Sequence, residues 1–97
     1  MPIKVIVELK AHPGKRDELQ DLIEGLVSSY GPNVPGFLGS ARFGVLDDPD
    51  VLVEIADWAS VEAREAHMQE AVATGAYAPV SELLAVPFRV TVLRRLP

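Results

Sequence analysis

The chain has 97 residues, a formal net charge of −5 and no cysteine. Its length predicts one domain spanning residues 1–97. Its acidity, with no basic stripe to offset it, argues against nucleic acid and anionic membranes as partners, and the missing thiol excludes disulfides, thiolate metal sites and a cysteine nucleophile.

Hydrophobic residues make up 48% of the sequence, more apolar material than a small domain can bury alone. A homodimer is therefore expected. The start Met1-Pro2-Ile3-Lys4-Val5 has no long apolar run and no cleavage site, and no 18 apolar residues run together anywhere. Neither a signal peptide nor a membrane span is predicted, and a cytoplasmic location is expected.

Taken in chain order, Ile3 to Leu9 alternates with a period of two and predicts a strand. His12-Pro13-Gly14 breaks it, with Pro13 suited to the first turn of the next helix. From Lys15 to Tyr30, the residues Leu19, Leu22, Ile23, Leu26, Val27 and Tyr30 form one helical stripe. Asp17 and Glu18 suit the positive end of that helix, and Gly31-Pro32-Asn33 stops it. Phe37 to Leu46 and Val51 to Trp58 predict a hairpin around the turn Asp47-Asp48-Pro49-Asp50. Ser60 caps a helix through at least Met68, and Ala73-Thr74-Gly75 interrupts it. Ala76 to Leu84 predicts a short helix, and Val86 to Leu93 a last strand.

This order is an α+β fold. It fits the ferredoxin-like split β-α-β arrangement, a four-stranded antiparallel sheet with helices on one face. Parity sorts Ile3, Val5, Val7, Leu9, Phe88, Val90 and Val92 onto an apolar face. It sorts Ile6, Glu8, Arg42, Glu54, Ala56, Trp58, Arg89 and Leu93 onto a mixed one. Neither looks fully solvated, so sheet-to-sheet dimerisation is expected; a bulge at Gly39 or Gly44 would shift the count in the second strand.

The residues able to carry chemistry gather after the third strand. Trp58, the only tryptophan, fits either a buried core position or a pocket wall that stacks on a flat ring. Glu54 lies four residues earlier on the same strand face, where it would either move protons from an apolar pocket or pair with Arg42 across the hairpin. His67 titrates near neutrality and is a candidate acid or base unless it is simply a satisfied surface histidine. Tyr77 can reach the same space, or pack with its hydroxyl at the rim. His12 and His67 with scattered acids have no metal-ligand spacing, so no metal is expected. Zinc-protease, serine-hydrolase, phosphate-loop and dinucleotide signatures are all missing.

Several segments together resemble the antibiotic biosynthesis monooxygenase family of dimeric α+β barrels. They are Lys10-Ala11-His12-Pro13-Gly14-Lys15-Arg16-Asp17-Glu18-Leu19, Pro35-Gly36-Phe37-Leu38-Gly39, Trp58-Ala59-Ser60 followed by Ala63 and His67, and Pro87-Phe88-Arg89-Val90-Thr91-Val92. The resemblance implies a homodimer with facing sheets and a pocket between sheet and helices in each subunit. It also implies oxidation of a small electron-rich aromatic, a quinol or anthrone, by O₂ with no metal, flavin or other cofactor. Trp58 matches the pocket tryptophan of the aromatic-polyketide oxygenases of the family, which carry Asn at the place of Glu54 and Tyr at the place of Arg64. The haem-degrading branch has Asn, Trp and His where this chain has Val7, His67 and Tyr77. On this reading His67 or Glu54 takes a proton, Trp58 and Tyr77 hold the ring, and Arg42 stabilises the anion. Two other functions fit the same residues: a non-catalytic ligand-binding or stress-related module, and an oxygen-independent isomerase or decarboxylase acting on an enol.

Overall fold

In the computed structural model, which describes residues 1–97, alternating strands and helices appear in the expected order. They are β1 (Ile3–Lys10), α1 (Arg16–Tyr30), a 3₁₀ turn (Gly31–Asn33), β2 (Phe37–Val45), β3 (Asp48–Trp58), α2 (Val61–Thr74), α3 (Ala78–Glu82) and β4 (Arg89–Arg94). The strands form one antiparallel sheet in the order β2-β3-β1-β4, which is the ferredoxin-like α+β arrangement.

Local chemistry shifts some boundaries. Helix α1 starts at Arg16, so Pro13 lies outside it, in a turn closed by the Lys15 N–H donating to the His12 carbonyl at 2.9 Å. The expected four-residue hairpin turn contracts to Leu46-Asp47, because Val45 already pairs with Asp48. The register then slips, leaving Pro49, Asp50 and Val51 without partners in β2. A proline has no N–H to give a ladder, so this irregularity is where β3 tolerates one. Strand β4 begins at Arg89 rather than Val86, just past Pro87.

The pairing corrects the assignment of the two sheet faces. Trp58 stands opposite Ile3, Ala56 opposite Val5, and Glu54 opposite Val7. Arg42 stands opposite Glu54, and Val90 opposite Val7. Residues directly opposite in a ladder project to the same side. Glu54, Ala56, Trp58 and Arg42 therefore share the face of Val5, Val7 and Val90 rather than the mixed face with Ile6. Parity within one strand is fixed by the backbone, but parity between strands depends on register, and β1 meets β3 with odd residues against even ones.

That shared face is the one the helices cover. At one end Leu19 and Ile23 of α1 pack with Leu9, Ala11, Leu52 and Val80. At the other end Ile3, Val5, Ala56 and Trp58 form a second cluster, with Phe37, Ala63 and Val90 against it. The opposite face carries Ile6, Val53 and Ile55 at its centre and an exposed Phe43 and Leu93 beside them.

Helix α2 is capped at both ends. The Ser60 hydroxyl accepts from the Ala63 N–H at 3.1 Å. Gly75 closes the other end in the left-handed conformation (φ 70°), with its N–H directed at the Val72 carbonyl and that of Ala76 at Ala71, a Schellman arrangement. Where β2 enters, Gly36 (φ 83°) lies under α2, and a Cβ added there would stand 2.5 Å from the Ala63 methyl.

Gly36→Ala should therefore destabilise the fold by roughly 2–4 kcal/mol, from backbone strain and overpacking together. Gly25→Ala, in α1 with open space around it, should instead stabilise by about 0.5–1 kcal/mol. Urea unfolding of the two variants separates these effects, and equal midpoints would contradict the close approach of β2 and α2.

Candidate active site

Between the two core clusters the helices stand off the sheet and leave a cavity of about 140 Å³, open on one side. A cavity of roughly 150 Å³ takes a single benzene ring, and the open side leaves room for a fused ring system to project. Most of its wall is aliphatic or aromatic, drawn from β1, β3, β4, α1, α2 and α3. The residues with titratable or hydroxyl side chains are few and specific: Tyr30, Glu54, Arg64, His67, Tyr77 and Ser81.

His67 is the hub of the polar group. It sits on α2 where the helix crosses the cavity, and its Nε2 lies 2.8 Å from the Tyr77 hydroxyl. Its ring centroid is 5.5 Å from that of Trp58, 5.9 Å from Tyr30 and 6.0 Å from Tyr77. Three aromatic rings from three separate elements thus surround one imidazole. Tyr77 arrives there because the left-handed turn at Gly75 reverses the chain after α2, which makes Tyr77 the residue that opens α3. Trp58 is buried, edge-on to Phe37 at 5.2 Å, and also lines the cavity, so its two sequence-level roles coincide.

The surroundings set the proton affinities. Burial lowers the pKa of His67 below its ordinary value, Glu70 opposes that shift, and Arg64 adds to it. The ring is therefore neutral at neutral pH and free to accept a proton. Burial pushes the Tyr77 hydroxyl up to about 12, with Tyr30 and Glu54 adding to the rise and Arg64 opposing it. Tyr77 stays protonated and can exchange a hydrogen bond with Nε2 without ionising. Burial also raises the Glu54 carboxyl above its ordinary range, against the charge and hydrogen bond of Arg42.

Glu54 both lines the cavity and pairs with Arg42, at 3.4 Å. Arg42 itself does not line the cavity. Its guanidinium donates to Glu24 at 3.1 Å and Ser40 at 3.0 Å as well as to Glu54, so it reaches the site only through that carboxylate. The structure thus brings together Trp58, Glu54, His67 and Tyr77 and holds Arg42 one residue behind them. No group of three or more His, Asp or Glu side chains is placed to hold a metal ion, and no helix is long and apolar enough to cross a membrane.

Tyr30, Arg64 and Ser81 line the cavity without being singled out as site residues by the sequence reading. Tyr30 ends the α1 stripe, and its hydroxyl is buried without a hydrogen-bond partner. The signal was present: a phenol closes a stripe that is otherwise aliphatic, where Phe would pack as well. A buried unpaired hydroxyl is costly.

The comparisons agree with this fold. A protein from Mycobacterium tuberculosis superposes with a TM-score of 0.81 at 26% identity, covering 100% of this chain and 97% of its own. A conserved protein from Methanosarcina mazei gives 0.84 at 18% identity, covering 99% and 94%. A Streptomyces coelicolor monooxygenase, solved with nanaomycin D, gives 0.83 at 21% identity, covering 98% and 88%. No curated protein matches by sequence. The family model for antibiotic biosynthesis monooxygenases matches residues 2–78. That stretch holds β1 through α2 and the Trp58, His67 and Tyr77 cluster, and the chain belongs to the antibiotic biosynthesis monooxygenase family.

Proposed function

We propose that this protein is a homodimeric monooxygenase that oxidises a small, electron-rich aromatic of the quinol or anthrone type with O₂, using no metal or flavin. The observation that carries the reading is the 2.8 Å contact between His67 Nε2 and the Tyr77 hydroxyl, set in an apolar cavity beside Trp58. An apolar cavity with a few convergent polar groups is the usual form of a small-molecule site. Family membership supports the reaction type.

In this reading Trp58 and Tyr30 flank the ring of the substrate. Tyr77 donates to Nε2, so a substrate proton passes to the Tyr77 oxygen as the phenolic proton passes to His67. His67 rather than Glu54 is the terminal base, because Glu54 is engaged by Arg42. The carbanion gives one electron to O₂ and the two radicals combine as a peroxide anion. His67 returns the proton, and the hydroperoxide of a CH₂ centre loses water to leave a ketone. Atoms balance as one CH₂ and one O₂ giving one C=O and one H₂O. The apolar wall keeps bulk water from the carbanion.

O₂ uptake by chelator-treated protein should exceed autoxidation across a panel of anthrones and quinols. His67→Ala should lower kcat by roughly 10²–10⁴-fold, the usual contribution of a positioned base. Uptake unchanged in that variant would sink this site, binding without uptake would favour a non-catalytic module, and anaerobic turnover an isomerase or decarboxylase. Because His67 must be neutral, kcat should rise with pH and level off after a midpoint below the ordinary histidine value of 6.5. That acid limb should disappear in His67→Ala.

Tyr30→Phe removes an unpaired buried hydroxyl, so thermal stability should stay level or rise by about 1 kcal/mol. A clear loss of stability would show that the hydroxyl is already satisfied in the unliganded protein.

The second copy is proposed to cover the outer sheet face, where Ile6, Val53, Ile55 and Phe43 are flanked by Lys4, Asp57, Glu8 and Arg89. An apolar centre with edges of both signs is complementary to itself under a two-fold axis. Sedimentation should give a dimer at micromolar concentration, and Ile55→Asp should dissociate it; a monomeric wild type would overturn the pairing.

A further inference from the structure

Arg64 stands out among the cavity residues because nothing neutralises it. It lies on α2 one turn before His67 and lines the cavity, half-buried. None of the ion pairs or side-chain hydrogen bonds of the chain involves it. Its own helix supplies no partner. The helix neighbours able to reach it, three and four residues away, are Ser60, Val61, His67 and Met68, and none is acidic. Glu62 and Glu65 sit at spacings that turn them away from it.

The other charge at the cavity wall, Glu54, is already matched by Arg42. The cavity therefore carries one uncompensated positive charge inside a chain whose formal net charge is −5. A half-buried arginine has given up part of its contact with water and has no partner in return, an arrangement that a ligand anion completes. Its field already reaches the chemistry: the Tyr77 hydroxyl, raised first by burial, is held back by the Arg64 charge.

We infer that Arg64 selects a ligand carrying a carboxylate, so that the cavity takes an aromatic acid, its ring against Trp58 and its carboxylate on the guanidinium. A planar five-donor fork matches a carboxylate with two parallel hydrogen bonds, which no neutral analogue can reproduce. This rests on the cavity being the ligand site, as proposed above, but not on oxidation taking place there.

The test compares 2,5-dihydroxybenzoate with hydroquinone, which share an electron-rich ring and differ in the carboxylate. Binding is measured by calorimetry under nitrogen, so no turnover is needed. The wild type should bind the acid about tenfold or more tightly than hydroquinone. Arg64→Met should erase that preference while leaving hydroquinone affinity in place, which also reports an intact cavity. Arg64→Lys should keep part of the preference and lose the bidentate share. Equal affinities in the wild type, a preference that survives in Arg64→Met, or no binding of either compound would each overturn the inference. The acid preference with no O₂ uptake would remove the oxygenase reading and leave this one standing. O₂ uptake on hydroquinone without acid preference would do the reverse.

Discussion

The antiparallel pairing of β1 with β3 puts Ile3 opposite Trp58 and Val7 opposite Glu54, and the site depends on that register. It turns the indole and the carboxylate of β3 toward the helices, among valines, instead of toward the outer face. A slip of one residue would send both outward and bring Ile55 and Asp57 in. Burial on the helix side then does the chemical tuning. It raises Glu54 and Tyr77 and lowers His67, so each of the three is moved in the direction of its neutral form.

The helices complete what the sheet begins. Helix α1 packs with Leu19 and Ile23 at one end and finishes in Tyr30 at the cavity. Helix α2 can approach the sheet closely only where both partners are small, at Gly36 and Ala63. Farther along it carries His67 and Met68, whose bulk lines the cavity wall. The Gly75 turn returns the chain so that Tyr77 meets His67. The polar contact at the centre of the site is thus held by a helix, a glycine-dependent reversal and a second helix start, not by neighbouring residues on one element.

Two arginines divide the electrostatic work. Arg42 neutralises Glu54 from outside the cavity and links it to Glu24. Without that partner, desolvation would raise the Glu54 carboxyl further. Arg64 stands at the wall with no ion-pair partner. The same cavity is therefore apolar enough to hold a ring and positively charged at one point.

The sequence by itself determined the elements and their order. The alternation of Ile3 to Leu9, the α1 stripe, the Ser60 cap and the Gly75 stop are local signals, and local signals survive without knowledge of the fold. It also determined that Glu54 and Trp58 share a face, since both lie on one strand, and that Arg42 could meet Glu54 across the hairpin. Only the tertiary structure decided which face that was, because register between distant strands comes from packing and turn geometry rather than from the numbering. It alone left the Tyr30 hydroxyl unpaired and brought its ring near that of His67, set Arg42 behind Glu54, and left Arg64 as the uncompensated charge. Each of these is a statement about distance between groups on different elements, and such distances are fixed only when the helices settle on the sheet.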